Sequence, residues 1–194
     1  MRVGLHYLSC AALAAVGLSA CGGASTTAAP SADSAAAPTL PVRLPHGVAA
    51  RLPAGWHLLR KPITNVTYPV QALAATSHPA KPGKPRGNCQ PEPVLGQKPP
   101  KGALVEVVEW ANRSDQPGLR KFPPRPRPFR LPRHNYRGYE CSGYSYNVPF
   151  RDHRRAFQVF VWLDPKRVDP EVRRQTIHLL NSLRFKAPAE PSRS

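Results

Sequence analysis

The clearest strand pattern lies between Ala103 and Ala111, an apolar run broken only by Glu106 and Glu109. Successive side chains of a strand point to opposite sides, so Val105, Val107 and Glu109 share one face of the strand this predicts, and Leu104, Glu106, Val108 and Trp110 share the other. Ala156 to Leu163 is nearly continuously apolar and predicts a strand buried on both faces. Ahead of it, Tyr139, Cys141, Tyr144, Tyr146, Val148 and Phe150 mark another strand, and Arg151-Asp152-His153-Arg154 reads as the turn of a hairpin joining the two. Tyr68 to Thr76 is apolar on both faces, which leaves strand and buried helix open. Trp56, Leu58 and Leu59 follow the turn-forming Pro53-Ala54-Gly55 and predict a strand that enters the core.

The period changes near the end of the chain. Asp169-Pro170 is a helix start, with aspartate as N-cap and proline at the first helical position. Val172, Thr176, Leu179, Leu180 and Leu183 then fall on one side at helical spacing, while Arg174 and His178 look outward. Leu183-Arg184-Phe185 reads as a short last strand. Strands followed by a closing amphipathic helix predict an α+β fold, an antiparallel sheet with the C-terminal helix packed on one face.

Between these elements lie segments without period. Residues 77–102 and 112–137 are rich in proline and read as long loops, the second with an extended piece around Phe129-Arg130-Leu131. Residues 22–44 are mostly Ala, Ser, Thr, Pro and Gly, too poor in large apolar groups to offset their ordering entropy. As a flexible tether such a segment spans roughly 25–30 Å. The divisions expected are therefore 1–20 signal peptide, 21–45 tether, 46–186 a single extracytoplasmic α+β domain and 187–194 a flexible tail.

The first twenty residues carry the parts of an export signal: Arg2, an apolar run from Val3 to Gly17, then small residues. The run is shorter than the roughly 20 apolar residues a membrane-spanning helix needs. Leu18-Ser19-Ala20-Cys21 resembles the bacterial lipobox, which implies diacylglycerol on Cys21 and cleavage just before it. Two acyl chains make a stable anchor. The expected location is the extracytoplasmic face of the cell membrane, lipid-anchored. There, Cys89 and Cys141 are two thiols in an oxidising compartment and predict a structural disulfide. A redox-active pair would normally be close in sequence, and these are far apart.

Composition adds two facts. The chain has 25 prolines in 194 residues, which favours short strands and irregular connections over a helical bundle. Its formal net charge of +17 is either a property of a solvated surface or an attraction to an anionic partner. Outside the membrane that partner would be a wall polymer or lipid headgroups, not nucleic acid. The charge concentrates in residues 120–133, where Arg120, Lys121, Arg125, Arg127, Arg130 and Arg133 sit among prolines with no acid between them. Prolines hold such a stretch extended, so less entropy is lost on docking, and arginine forks suit phosphate or carboxylate. The bland alternative is a covering segment whose Phe122, Phe129 and Leu131 pack on the sheet while the arginines face water. Both can hold at once.

Catalytic patterns are absent from the sequence. There is no Gly-x-Ser-x-Gly elbow, and Gly138 to Gly143 lacks the lysine of a phosphate loop. Glu106 and Glu109 fall on opposite strand faces and cannot pair. Ser142, Ser145 and His153 are near in sequence, a coincidence too common to mark a nucleophile. His46, His57, His78, His134, His153 and His178 are scattered and lack metal-ligand spacing. No enzyme, metal or cofactor is expected.

The Leu52-Pro53-Ala54-Gly55-Trp56 opening and the Leu179 to Phe185 helix-then-strand ending resemble small actinobacterial lipoproteins of unassigned function. They are also similar to PsbP-like domains, which implies an α/β/α sandwich over about residues 46–186. That resemblance implies binding or assembly and no reaction. The reading is thus a non-enzymatic envelope protein that contacts an anionic wall or membrane component through its basic loop. The alternative is an accessory subunit that docks on another envelope protein through a sheet face or the Trp110 region.

Overall fold

The computed structural model describes residues 38–84, 90–110, 121–139 and 143–187. They belong to one unit, Ala36–Ser194. The strands are β1 (Thr39–Arg43), β2 (Val48–Pro53), β3 (His57–Leu58), β4 (Val70–Thr76), β5 (Leu104–Trp110), β6 (Tyr136–Tyr139), β7 (Gly143–Asp152), β8 (Arg155–Trp162) and β9 (Arg184–Phe185). The helices are α1 (Glu92–Leu95) and α2 (Pro170–Ser182). The strands form two antiparallel sheets, β1-β2-β9 and β3-β4-β5-β8-β7-β6. The fold is α+β.

The alternation in β5 sets the core. Val105 and Val107 stand beside Ala75 and Leu73 of β4 on one side and Val161 and Val159 of β8 on the other. That face is covered by Leu179, Leu180 and Leu183 at the end of α2 and by Val48, Ala50 and Leu52 of β2. Each such side chain taken fully out of water contributes roughly 1.5–3 kcal/mol, so a one-residue slip of β5 would forfeit the whole row. The opposite face buries Leu104 and Trp162 with Ala74, Leu59, Ile63 and Val94, the last from the single turn of α1. Helix α2 begins as its cap residues dictate, with the Asp169 carboxylate accepting from the Glu171 N–H at 2.8 Å. Arg174 and His178 are exposed on its outer side.

Three expectations are corrected. The folded chain starts ahead of His46: Thr39 to Arg43, assigned to the tether, form β1 against β2. Their alternating Leu40 and Val42 are too few to signal a strand until β2 supplies a partner. Instead of one sheet there are two, because Val48–Pro53 pairs with β1 and β9 and not with the strand that follows. Tyr139 is not in the strand of Tyr144 to Phe150. It ends β6, which folds back on β7 with Tyr139 opposite Gly143. Tyr68 to Thr76, open between strand and helix, resolves as β4.

Candidate functional site

The basic segment is strapped across the protein by its own backbone. Arg125 N–H donates to the Arg151 carbonyl at 3.0 Å, and Arg151 N–H donates to the Pro123 carbonyl at 2.7 Å, which lays the segment beside the end of β7. Phe129 N–H donates to Asn181 Oδ1 of α2 at 2.8 Å, and an Arg173 guanidinium N–H donates to the Leu131 carbonyl. Phe129 and Leu131 enter the main core, 1% and 2% exposed. Prolines at 123, 124, 126, 128 and 132 have no N–H to leave unpaired, so the segment can run over the surface without a strand partner.

The six expected contact residues do not act alike. Lys121, Arg127, Arg130 and Arg133 are exposed. Arg120 lies outside the described residues, as do Cys21, Cys89 and Cys141. Arg125 turns inward: its side chain is 8% exposed and its Nη1 donates to Asp152 Oδ2 at 3.2 Å. Its Nη2 donates to the carbonyls of Leu183 at 2.9 Å and Leu180 at 3.4 Å. The guanidinium lies 5.4 and 5.2 Å from the Phe129 and Phe185 ring centres. Helices end with unpaired carbonyls and a partial negative charge, and Arg125 answers both. Its side chain is thus fastened into the fold.

Arg184 joins the site from β9. Its Nη1 donates to the carbonyls of Leu183, Asn181 and Ser182 at 2.9, 3.3 and 3.4 Å. Arg125, Pro126, Arg127, Pro128, Asn181 and Arg184 line an open cavity of about 460 Å³. Burial lowers the pKa of Arg125 from its ordinary value; the Asp152 hydrogen bond and charge oppose this, and the charges of Arg127 and Arg184 add to it. The Arg125 Nε, also buried, has no hydrogen-bond partner among the described residues. Arg127 is 74% exposed and only 3.8 Å from the same Asp152 oxygen. Arg125 and Arg127 thus share one carboxylate while Arg184 lines the same cavity, a local excess of positive charge that an anion would relieve. Beside it, His153 and Arg154 hold φ of 48° and 64° in the β7–β8 turn, a region disfavoured for side-chain-bearing residues.

Sequence reasoning missed Arg184 and Asn181. Both were visible only as the end of a helix and the start of a strand, and nothing local couples them to residue 125.

The other candidates are dispersed. Ser145 is buried near the start of β7, and His153 stands beyond its far end; Ser142 lies outside the described residues. Glu109 is paired with Arg155, while Glu106 is 3% exposed among apolar neighbours, where burial pushes its pKa up to about 8. Trp110, expected in a docking face, is half-buried, with Nε1 donating to Gln158 Oε1 at 3.0 Å and its ring edge-on to Tyr68. His78 is buried with neither ring nitrogen paired among the described residues, and its pKa is lowered by that burial, then by Lys98 and His57. Among the described residues no helix is long and apolar enough to cross a membrane.

No family model matches the chain, and no curated protein or solved structure matches it either.

Proposed function

We propose that this protein is a non-enzymatic, lipid-anchored component of the cell envelope that binds an anionic wall polymer or lipid headgroup at the Arg127–Arg184 cavity. One observation carries the reading: two exposed guanidiniums from distant parts of the chain converge on a cavity whose third arginine is already matched to Asp152. Arginine forks in that arrangement suit phosphate or carboxylate oxygens. The Cys21 anchor and the export signal would hold the site on the outer side of the membrane, where such anions are abundant.

The test is binding of the full-length chain to isolated envelopes across a salt series. Binding should fall steeply with salt, and Arg127→Ser with Arg184→Ser should weaken it and flatten the slope. Binding indifferent to salt and to both substitutions would remove the cavity from the account. A second reading, docking on another envelope protein, has one observation in its favour: Leu40 is 63% exposed on β1, an edge strand of the small sheet. A protein partner retained through high salt and lost on Leu40→Ser would support it.

A further inference from the structure

Past the cavity, the basic segment runs into an aromatic ledge. Tyr136 stands opposite Tyr146 across the β6–β7 pair, and Gly138 stands opposite Tyr144. The three tyrosines share a face: ring centres are 5.3 Å apart for Tyr136–Tyr146 and 6.0 Å for Tyr136–Tyr144. Burial falls off outward, from Tyr146 at 0% exposed through half-buried Tyr136 to Tyr144 at 70%. A Cβ on Gly138 would lie 3.7 Å from the Tyr144 ring, so that ring rests over glycine backbone with its outer side open. On the other face of β6, Arg137 donates to Tyr139 Oη at 2.9 Å and packs on its ring. β6 is an edge strand.

We infer that this ledge is a sugar subsite, and that the anion bound at the cavity is part of a linear acidic glycan. The inference rests on the anion-binding reading above. An aromatic face carries partial negative charge and attracts polarised C–H groups, such as those along one side of a pyranose ring. Arg127, Arg130 and Arg133 are exposed, and residues 121–139 contain no acid. From 127 to 136 an extended chain spans at most about 30 Å. A single headgroup would occupy one end of that strip, whereas a polymer with an acidic group on successive sugars meets cations along its length and a ring platform at the end.

The experiment measures binding of the full-length chain to polygalacturonate, to polyglutamate of equal carboxylate number, and to phosphatidylglycerol vesicles. Polygalacturonate should bind most tightly. Tyr144→Ala should weaken that binding about tenfold, the loss of one ring contact, and leave polyglutamate binding within about twofold. Tyr144→Phe should retain it. Arg127→Ser with Arg184→Ser should weaken both polymers. Equal affinity for the two polymers with no effect of Tyr144→Ala would overturn the sugar subsite while leaving the anion site standing. Binding to vesicles alone would assign the cavity to a headgroup and overturn it too. Binding to none of the three would bring down the anion reading itself.

Discussion

Arg155 and Glu109 form a buried two-pronged ion pair, Nε to Oε1 at 2.7 Å and Nη2 to Oε2 at 2.6 Å, with side chains 7% and 12% exposed. The same guanidinium donates to the carbonyls of His46 at 2.6 Å and Lys186 at 2.9 Å. One side chain thus ties the large sheet to the β1–β2 turn and to the residue that follows β9. Arg155→Met leaves Glu109 buried without a counter-charge and should cost about 3–5 kcal/mol in denaturant unfolding. Arg155→Met combined with Glu109→Leu should recover a good part of that loss. A double variant no more stable than the single one would mean the carbonyl contacts, not the ion pair, carry the effect.

Arg125 and Arg127 are separated by one proline and should respond very unequally to substitution. Arg125→Ser strands Asp152 and the last carbonyls of α2, and a loss of about 2–4 kcal/mol is expected. Arg127→Ser removes an exposed, weakly paired charge and should change stability by no more than about 0.5 kcal/mol. Thermal melts of the two variants check this. Comparable losses would show that the segment is fastened by its cations in general.

Glu106 makes stability depend on pH in a direction unusual for a carboxylate. Its pKa rises from 4.5 to about 8 because burial disfavours the charged form. The folded state therefore holds a proton that the unfolded state releases, so the contribution is complete below pH 4.5 and is lost as pH rises through 8. The loss approaches roughly 5 kcal/mol as an upper limit. Urea midpoints measured from pH 5 to 9 should fall for the wild type, and Glu106→Gln should flatten the curve. A wild-type midpoint that does not change over this range would place a solvating group or counter-charge beside the carboxyl.

Gln90 and Gly143 are in contact: a Cβ on Gly143, whose φ is +60°, would lie 2.5 Å from Gln90 Nε2. Cys89 and Cys141 lie outside the described residues, and a bridge between them is a proposal from the sequence. Mass analysis after alkylation of the denatured, unreduced chain should show both thiols protected. Cys89→Ser with Cys141→Ser should then cost about 4 kcal/mol for a loop of about 50 residues. Labelling of both thiols without reductant would show that the bridge does not form.

Legibility in the sequence followed the range of the interactions. The two faces of β5, the β7–β8 hairpin, the Asp169-Pro170 helix start and the buried Phe129 and Leu131 were all readable. Each is set by a period or cap spanning a few residues, and the chain carries that signal wherever it lies. Of the small sheet the last strand at Arg184–Phe185 was readable, but β1 and the pairing of both with β2 were not, because β1 is five residues long and becomes a strand only against β2. The split of Tyr139 from Tyr144 was hidden for a related reason: alternation is the same on either side of a turn.

Charges show the division most sharply. The sequence by itself determined that residues 121–133 would be an extended, acid-free run of cations, since proline and composition require nothing from elsewhere. Only the tertiary structure decided that Arg125 faces inward, that Arg184 completes the cavity, and that Glu109 finds Arg155 while Glu106 is buried beside Ala74 and Phe160. A charge takes its meaning from what lies within a few ångströms. For these residues the neighbours come from segments far away along the chain, brought close by burial of the apolar faces.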